Sequence, residues 1–302
     1  MSLASSAPSM LSADPGGAPD EARVLVGLIG AGIQRSLTPA MHMAEAGQQG
    51  LRLHYQLIDL DRAGVSADAL PTLITAARWM GFTGLNITYP CKQAVLPLLD
   101  ALSEEAQAMG AVNTVVFRDG RATGHNTDGS GWRWGFERSL PGADLSRVVL
   151  LGAGGAGSAI AHALMRMGSG QLLLVDADPA RAAALAAELN RLYSGHRALA
   201  EADAARALAG ASGLVHATPT GMDKLPGLPL PAALLHPRLW VAEIVYFPFE
   251  TALLKAARAL GCRTVDGGTM AVGQAIGAFE LFTGRPADAA RVAAHFRQLI
   301  QA

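Results

Sequence analysis

Val148-Val149-Leu150-Leu151-Gly152-Ala153-Gly154-Gly155-Ala156-Gly157 is the stretch that decides the fold. Its first four residues are apolar and read as a buried strand. Gly152, Gly154 and Gly157 then follow G-x-G-x-x-G spacing, and an apolar helix runs on to Met167. With 34 glycines in 302 residues, such spacing also arises by chance. The context carries more weight: a strand before, a helix after, and a second strand, Gln171 to Val175, ending at Asp176. An acid about 20 residues beyond the glycines is where the ribose of a dinucleotide is met. The glycines allow a tight turn and close backbone approach, and the helix N-terminus then faces a pyrophosphate. The expected cofactor contacts here are Gly152, Gly154, Gly155, Ala156, Gly157 and Asp176. The plainer alternative is a glycine-rich connection in an ordinary α/β unit.

Asp176 also bears on which dinucleotide. A carboxylate there accepts hydrogen bonds from both ribose hydroxyls and repels a 2′-phosphate. Ala177 brings no positive charge beside it. Arg181 argues the other way, because it could meet a phosphate; it could equally stack on adenine or cover a helix. The balance of charge favours NAD over NADP.

Outward from this unit, strands and helices alternate. On the N-terminal side, Val24 to Gly30 is a strand, and Thr38-Pro39 opens a helix over Ala40 to Gln49, with Thr38 as N-cap and Pro39 at the first turn. Leu53 to Leu60 is a strand, Ala67 to Met80 a helix and Phe82 to Tyr89 a third strand, an alternation that implies a parallel sheet. Val112 to Arg118 and Arg121 to His125 form a hairpin around Asp119-Gly120. A helix, roughly Ser130 to Leu140, then precedes a plausible boundary at Pro141-Gly142-Ala143-Asp144. On the C-terminal side come a helix from Pro179 to Leu192, strands at Gly213 to Thr218 and Trp240 to Tyr246, and a helix from Glu250 to Leu260. Two helices with no strand between them fill about Met270 to Gln301. The fold class is α/β.

The totals exclude several classes. Lys+Arg 24 against Asp+Glu 25 leaves no basic surplus for nucleic acid. Half the residues are hydrophobic and 16% charged, enough for two cores. No apolar run reaches membrane-spanning length. Cys91 and Cys262 make neither a metal spacing nor a disulfide framework, the eight histidines do not cluster, and no metal is expected. A cytoplasmic setting fits that cysteine usage. Residues 1–22 are rich in Ser, Ala, Pro and Gly, lack the basic and apolar regions of a signal peptide, and read as a flexible tail.

A second stretch stands out, Gly84-Leu85-Asn86-Ile87-Thr88-Tyr89-Pro90-Cys91-Lys92. It reads as a buried strand that stops at Pro90, which has no N–H for a ladder. Lys92 then falls in a first helical turn, where the partial positive charge of the helix N-terminus disfavours a cation. Taken alone, Lys92 is an ordinary solvated lysine.

Together the motifs resemble the shikimate/quinate dehydrogenase family. They are Ser36-Leu37-Thr38-Pro39-Ala40-Met41-His42, Asn86 to Lys92, Gly110-Ala111-Val112-Asn113-Thr114 and Gly124-His125-Asn126-Thr127-Asp128-Gly129, followed by Ala217-Thr218-Pro219-Thr220-Gly221-Met222, Val245-Tyr246, Gly267 to Gln274 and Glu280 to Gly284. The similarity runs from about Val24 to the C-terminus and is closest to members that prefer NAD. It implies a substrate domain of residues 23–130 with 270–302, and an inserted Rossmann-type NAD-binding domain of residues 131–269. It also implies reversible oxidation of a ring hydroxyl of quinate or shikimate to the 3-dehydro ketone.

In that family a lysine and an aspartate work at the reacting hydroxyl, and the matching positions are Lys92 and Asp128. The chemistry agrees: removing hydride from a secondary alcohol needs a base for its O–H proton, and the reverse needs an acid. Asp128 could also be a plain N-cap. Ser36 and Thr38 match the hydroxyls that grip the substrate carboxylate. Thr88, Asn113 and Gln274 match contacts to ring hydroxyls or carboxylate, and Tyr246 could orient the substrate or fill the cleft. Pro219, Thr220, Gly221, Met222, Ile244 and Gly267 match stretches around the nicotinamide end.

Thr38 stands where shikimate-specific members often have serine, and so resembles members that accept quinate. His216 stands where asparagine is common and Arg35 where histidine is frequent; nothing in the sequence explains either. Expected partners are a small-molecule substrate and, for assembly, a homodimer. Two other functions compete: an NADP-dependent biosynthetic shikimate dehydrogenase, and a non-catalytic dinucleotide or metabolite sensor.

Overall fold

The computed structural model describes residues 23–301. The tail expected over residues 1–22 lies outside the described residues.

The chain opens with β1 (Arg23–Gly30), α1 (Thr38–Gln48), β2 (Arg52–Asp59), α2 (Leu60–Ala63), α3 (Leu70–Trp79), β3 (Gly84–Ile87) and the single turn α4 (Cys91–Ala94). It continues with β4 (Ala101–Leu102), α5 (Glu104–Met109), β5 (Thr114–Arg118) and β6 (Arg121–His125). These strands form one sheet in the order β2-β1-β3-β5-β6-β4. β2, β1 and β3 pair in parallel, as the alternation implies. β5 turns the sheet antiparallel, because it belongs to a hairpin with β6. Asp119 and Gly120 take φ of 51° and 73°, the positive values a tight two-residue hairpin turn requires.

Alternation along β1 divides its side chains between two cores. Val24, Val26 and Leu28 face Ala278 and Phe282, far along the chain. Ile29 faces Leu70, Ile74, Leu85 and Ile87. Both faces of this strand are therefore covered, which is why it reads as a nearly unbroken apolar run.

Two local expectations need correction. Thr38 is not an N-cap: α1 begins at Thr38 itself, with Leu37 before it and no side-chain cap. Ser36 Oγ instead accepts from the Thr38 N–H at 3.4 Å. The third strand stops at Ile87, two residues earlier than expected, although the Thr88 N–H still bonds the Ile29 carbonyl.

α6 (Asp128–Ser139) leads into the second sheet: β7 (Arg147–Leu151), α7 (Gly155–Arg166), β8 (Gln171–Val175), α8 (Pro179–Leu192), β9 (Ala198–Ala200) and α9 (Ala204–Leu208). β10 (Gly213–His216), β11 (Trp240–Glu243), α10 (Ala252–Ala259) and β12 (Arg263–Val265) complete it. The order is β12-β11-β10-β7-β8-β9, with every pairing parallel. β4, β9 and β12 were not anticipated; they have two or three residues each, too few to show a period. β10 and β11 end at His216 and Glu243, before the expected Thr218 and Tyr246.

The chain closes with α11 (Gly268–Thr283) and α12 (Ala289–Gln301). α11 leaves the second sheet and returns to cover the first. It crosses α6 at a glycine contact: a Cβ at Gly131 would lie 2.3 Å from the Gln274 nitrogen, and one at Gly273 would lie 2.2 Å from the Gly131 carbonyl oxygen.

Candidate active site

A cleft of about 560 Å³ opens between the two sheets. One wall comes from the C-terminal ends of β1 and β3 and from the loop after β1; the other comes from Ala156, Met222, Ile244 and Gly267. Open α/β sheets place ligands at the C-terminal ends of their strands, and here two such edges face each other.

Lys92 and Asp128 meet in this cleft. Lys92 Nζ lies 2.5 Å from Asp128 Oδ2, with the side chains 28% and 10% exposed. Both are thus shielded yet reachable from the cleft. Lys92 is held by α4, the turn that begins beyond Pro90. Asp128 is the first residue of α6, not its N-cap, and the Asn126 side chain accepts from its N–H at 3.0 Å. Its other oxygen, Oδ1, accepts from Asn113 Nδ2 at 2.9 Å.

Asn113 is buried and its amide is fully engaged within the protein. Nδ2 also donates to the Thr127 hydroxyl, and Oδ1 accepts from the Thr127 N–H and the Thr114 hydroxyl. The Thr127 hydroxyl in turn donates to the Gln274 carbonyl at 3.2 Å, tying the α6 start to α11. Behind it, Glu105 sits against α6. Burial pushes its carboxyl upward, with the Asp128 charge adding to that, while Arg166 and the Ser130 N–H oppose it.

Ser36, Thr38, Thr88, Gln274 and Tyr246 line the same cleft. The Gln274 amide donates to the Ala271 carbonyl at 3.1 Å. Burial pushes the Tyr246 phenol up, and its ring packs on Phe247 and Phe296. The loop carrying Ser36 is pinned by Asp59 at the end of β2, which accepts from the N–H groups of Gly32 and Ile33 and from the Gln34 amide. The Gln34 amide bond leads the effects that hold the Asp59 carboxyl below its usual range.

The glycine-rich loop has the shape a pyrophosphate needs. Gly152 takes φ of 99°, and a Cβ at Gly157 would lie 1.9 Å from the Gly152 carbonyl oxygen. At Gly154 and Gly155, by contrast, a Cβ would meet nothing within 4 Å, so the space before the α7 N-terminus is open. Gly154 caps α7 without a side chain, leaving its first N–H groups to a ligand. Asp176 follows β8; its Oδ2 accepts from the Ala153 N–H at 2.7 Å, holding the acid beside the loop. Arg181 approaches Asp176 at 3.8 Å and is largely exposed. Pro219, Thr220 and Gly221 form the turn that delivers Met222 to the cleft, with Gly221 at φ 97°.

Asn86, quoted above only as part of a motif, also lines the cleft, as do Phe247 and Lys224, which no sequence signal marks. Asn86 accepts from the Tyr55 hydroxyl at 2.6 Å and donates to Thr114. Arg35 lies at the same cleft with its guanidinium 5.7 Å from the Phe247 ring centre, a cation–π contact from the loop after β1 to the loop after β11. Among the described residues no three His, Cys, Asp or Glu side chains converge as a metal site.

A shielded lysine–carboxylate pair facing an open glycine loop across a two-sheet cleft defines an oxidoreductase of the two-domain, dinucleotide-binding type. Comparison with known proteins narrows this. A model of the shikimate dehydrogenase substrate binding domain matches residues 28–115, and a ThiF family model matches residues 141–187, which take in β7, α7, β8 and the first part of α8. The chain is 60% identical to a shikimate dehydrogenase (NADP(+)) of Streptomyces avermitilis, over 91% of this chain and 95% of that one. It is 50% identical to a quinate/shikimate dehydrogenase (NAD(+)) of Corynebacterium efficiens, over 91% and 98%. The solved quinate dehydrogenase of Corynebacterium glutamicum in complex with NAD superposes with a TM-score of 0.86 at 48% identity, covering 91% of this chain and 99% of that one. The chain belongs to the shikimate dehydrogenase family.

Proposed function

We propose that the protein oxidises quinate and shikimate reversibly to their 3-dehydro ketones with NAD, using Lys92 and Asp128 as the acid/base pair. The observation that carries this reading is the 2.5 Å Lys92–Asp128 contact in a cleft whose opposite wall holds Ala156, Met222 and Ile244. When bound, the nicotinamide supplies a two-electron hydride acceptor at C4.

The chain's own residues do the rest. Lys92 Nζ and Asp128 Oδ2 act as a coupled unit that takes the hydroxyl proton in oxidation and returns it in reduction. Asn113 holds the second oxygen of Asp128, so the carboxylate presents only one oxygen to Lys92. Ser36 and Thr38 grip the substrate carboxylate, and the hydroxyl of Thr38 is free for this because it does not cap α1. Thr88 and Gln274 meet the ring hydroxyls. The two units that close on the substrate are residues 23–130 with 270–302, and 131–269.

The preference for NAD rests on Asp176, whose carboxylate is fixed beside the loop by the Ala153 N–H. It would meet a ribose diol and repel a 2′-phosphate. The second reading is an NADP enzyme, favoured by the 60% identity to a relative named for NADP and by Arg181 beside Asp176. Steady-state kcat/KM with each cofactor on quinate and on shikimate decides. The expected result is a larger kcat/KM with NAD. A larger value with NADP overturns the cofactor assignment, and no reduction of either cofactor by either substrate overturns the substrate assignment.

A further inference from the structure

His216, unexplained by sequence, has a partner on each ring nitrogen and is fully buried. It ends β10, and Glu243 ends the neighbouring β11 directly opposite it. His216 Nδ1 lies 2.8 and 3.0 Å from the two Glu243 oxygens, and Nε2 lies 2.5 Å from the Thr218 hydroxyl. A carboxylate only accepts, so Nδ1 carries the proton and donates to it. In the neutral ring Nε2 then accepts from the Thr218 hydroxyl, and Thr218 Oγ1 accepts from the Thr220 N–H at 3.3 Å.

Glu243 collects further donors. Oε1 accepts from the N–H groups of Ile244 and Val245 at 2.8 and 2.9 Å. Oε2 accepts at 3.0 Å from the hydroxyl of Thr251, whose oxygen caps α10. A buried carboxylate is stable only when its lone pairs are met, and here two of the donors are the Ile244 and Val245 N–H groups at the end of β11, where Ile244 lines the cleft. The network therefore joins the turn that delivers Met222, the end of β11 that delivers Ile244, and the start of α10.

We propose that His216 is a positioning residue: through Thr218 on one side and Glu243 on the other, it sets the wall against which the nicotinamide ring of the cofactor lies. The inference rests on the reading of the cleft as a nicotinamide dinucleotide site. The glycine loop and Asp176 hold the other end of the cofactor; Gly152 packs against Ala217 and the Thr218 methyl but shares no hydrogen bond with this network, so a change that keeps the methyl tests the two ends separately.

Two variants cut the same link. His216→Asn keeps a donor near the Nδ1 position for Glu243 but cannot reach Thr218. Thr218→Val keeps the side-chain shape and removes the hydroxyl. NADH and NADPH are titrated by fluorescence, each against its counterpart lacking the nicotinamide ring, ADP-ribose or its 2′-phosphate. Each variant is expected to weaken the reduced cofactor about fivefold, the change that goes with one hydrogen bond of ordinary net worth, and to leave the truncated ligand within about twofold. The double variant is expected to match the single ones, since both remove one interaction. A merely structural role would weaken both ligands together. That result, or unchanged binding of the reduced cofactor, or multiplying effects in the double variant, overturns the proposal. Where His216→Asn does not fold, Thr218→Val alone carries the comparison of the two ligands. A split between the ligands without oxidation of quinate or shikimate would uphold the positioning role and reject the substrate assignment. Wild-type protein that binds neither reduced cofactor rejects both.

Discussion

Lys92 shows how far a single residue can be read. The sequence places it in a helical first turn, unfavourable for a cation, but α4 is a single turn of four residues with no distinct first turn, and what gives Lys92 its place is the Asp128 carboxylate at 2.5 Å. Lys92→Ala is expected to lower kcat by about 100-fold or more, the size of a general acid–base contribution, with thermal unfolding close to wild type. Near-normal turnover in that variant would remove Lys92 from the chemistry. Asp59 was invisible as a functional residue, because it reads as the polar end of a strand. In the structure its carboxylate pins the loop that carries Ser36 through three donors. Asp59→Ala is expected to raise the substrate KM several-fold and to change cofactor affinity less, since the loop presents Ser36 to the substrate and reaches the second unit only through the Arg35–Phe247 contact. Equal loss for both ligands would place the defect elsewhere.

At the scale of elements, glycine was the most legible residue type and also the one most easily misjudged. The loop at 152–157 announced itself by spacing, and Gly157 proves to be required because a Cβ would strike the Gly152 carbonyl. Gly131 and Gly273 carry no such signal of their packing role, although Gly273 lies within the motif Gly267 to Gln274. Glycine is ordinarily a weak point in a helix, yet together these two let α6 and α11 touch backbone to backbone. Gly131→Ala is expected to lower stability by about 2 kcal/mol or more, read as a lower denaturant midpoint, because the obstructing atoms are backbone and cannot rotate away. A midpoint equal to wild type would mean that the two helices separate at little cost. Thr38 teaches a related lesson. Thr followed by Pro is a strong helix-start signal, but the start moved by one residue and left the hydroxyl at the cleft.

For the molecule as a whole, His42 couples the fold to pH. It is buried among Tyr55, Phe279 and Phe282, and burial lowers its pKa to about 3; the nearby Ala275 backbone offsets a small part without a bond of full geometry. The unfolded chain takes up a proton there below its ordinary value of 6.5 and the native state does not. Stability therefore falls as pH falls from 6.5 toward about 3, by up to about 1.4 kcal/mol per pH unit from this group. His162, lowered to about 4 by burial, adds to the same decline. Unfolding midpoints measured across that window are expected to fall less steeply in His42→Leu than in wild type, and parallel curves would reject the assignment. By itself, the sequence determined the α/β class, the glycine loop with its trailing acid and the hairpin at Asp119-Gly120, because each depends on neighbours along the chain, and the family, because its short motifs recur in order along it. The tertiary structure alone decided that α11 returns to the first sheet, that Thr127 bonds Gln274 across 147 residues, and that His216 meets Glu243 across 27. Such contacts leave no period in the chain. They are selected by burial, which favours a partner for an enclosed polar group wherever the fold brings one; His42, buried without one, is an exception.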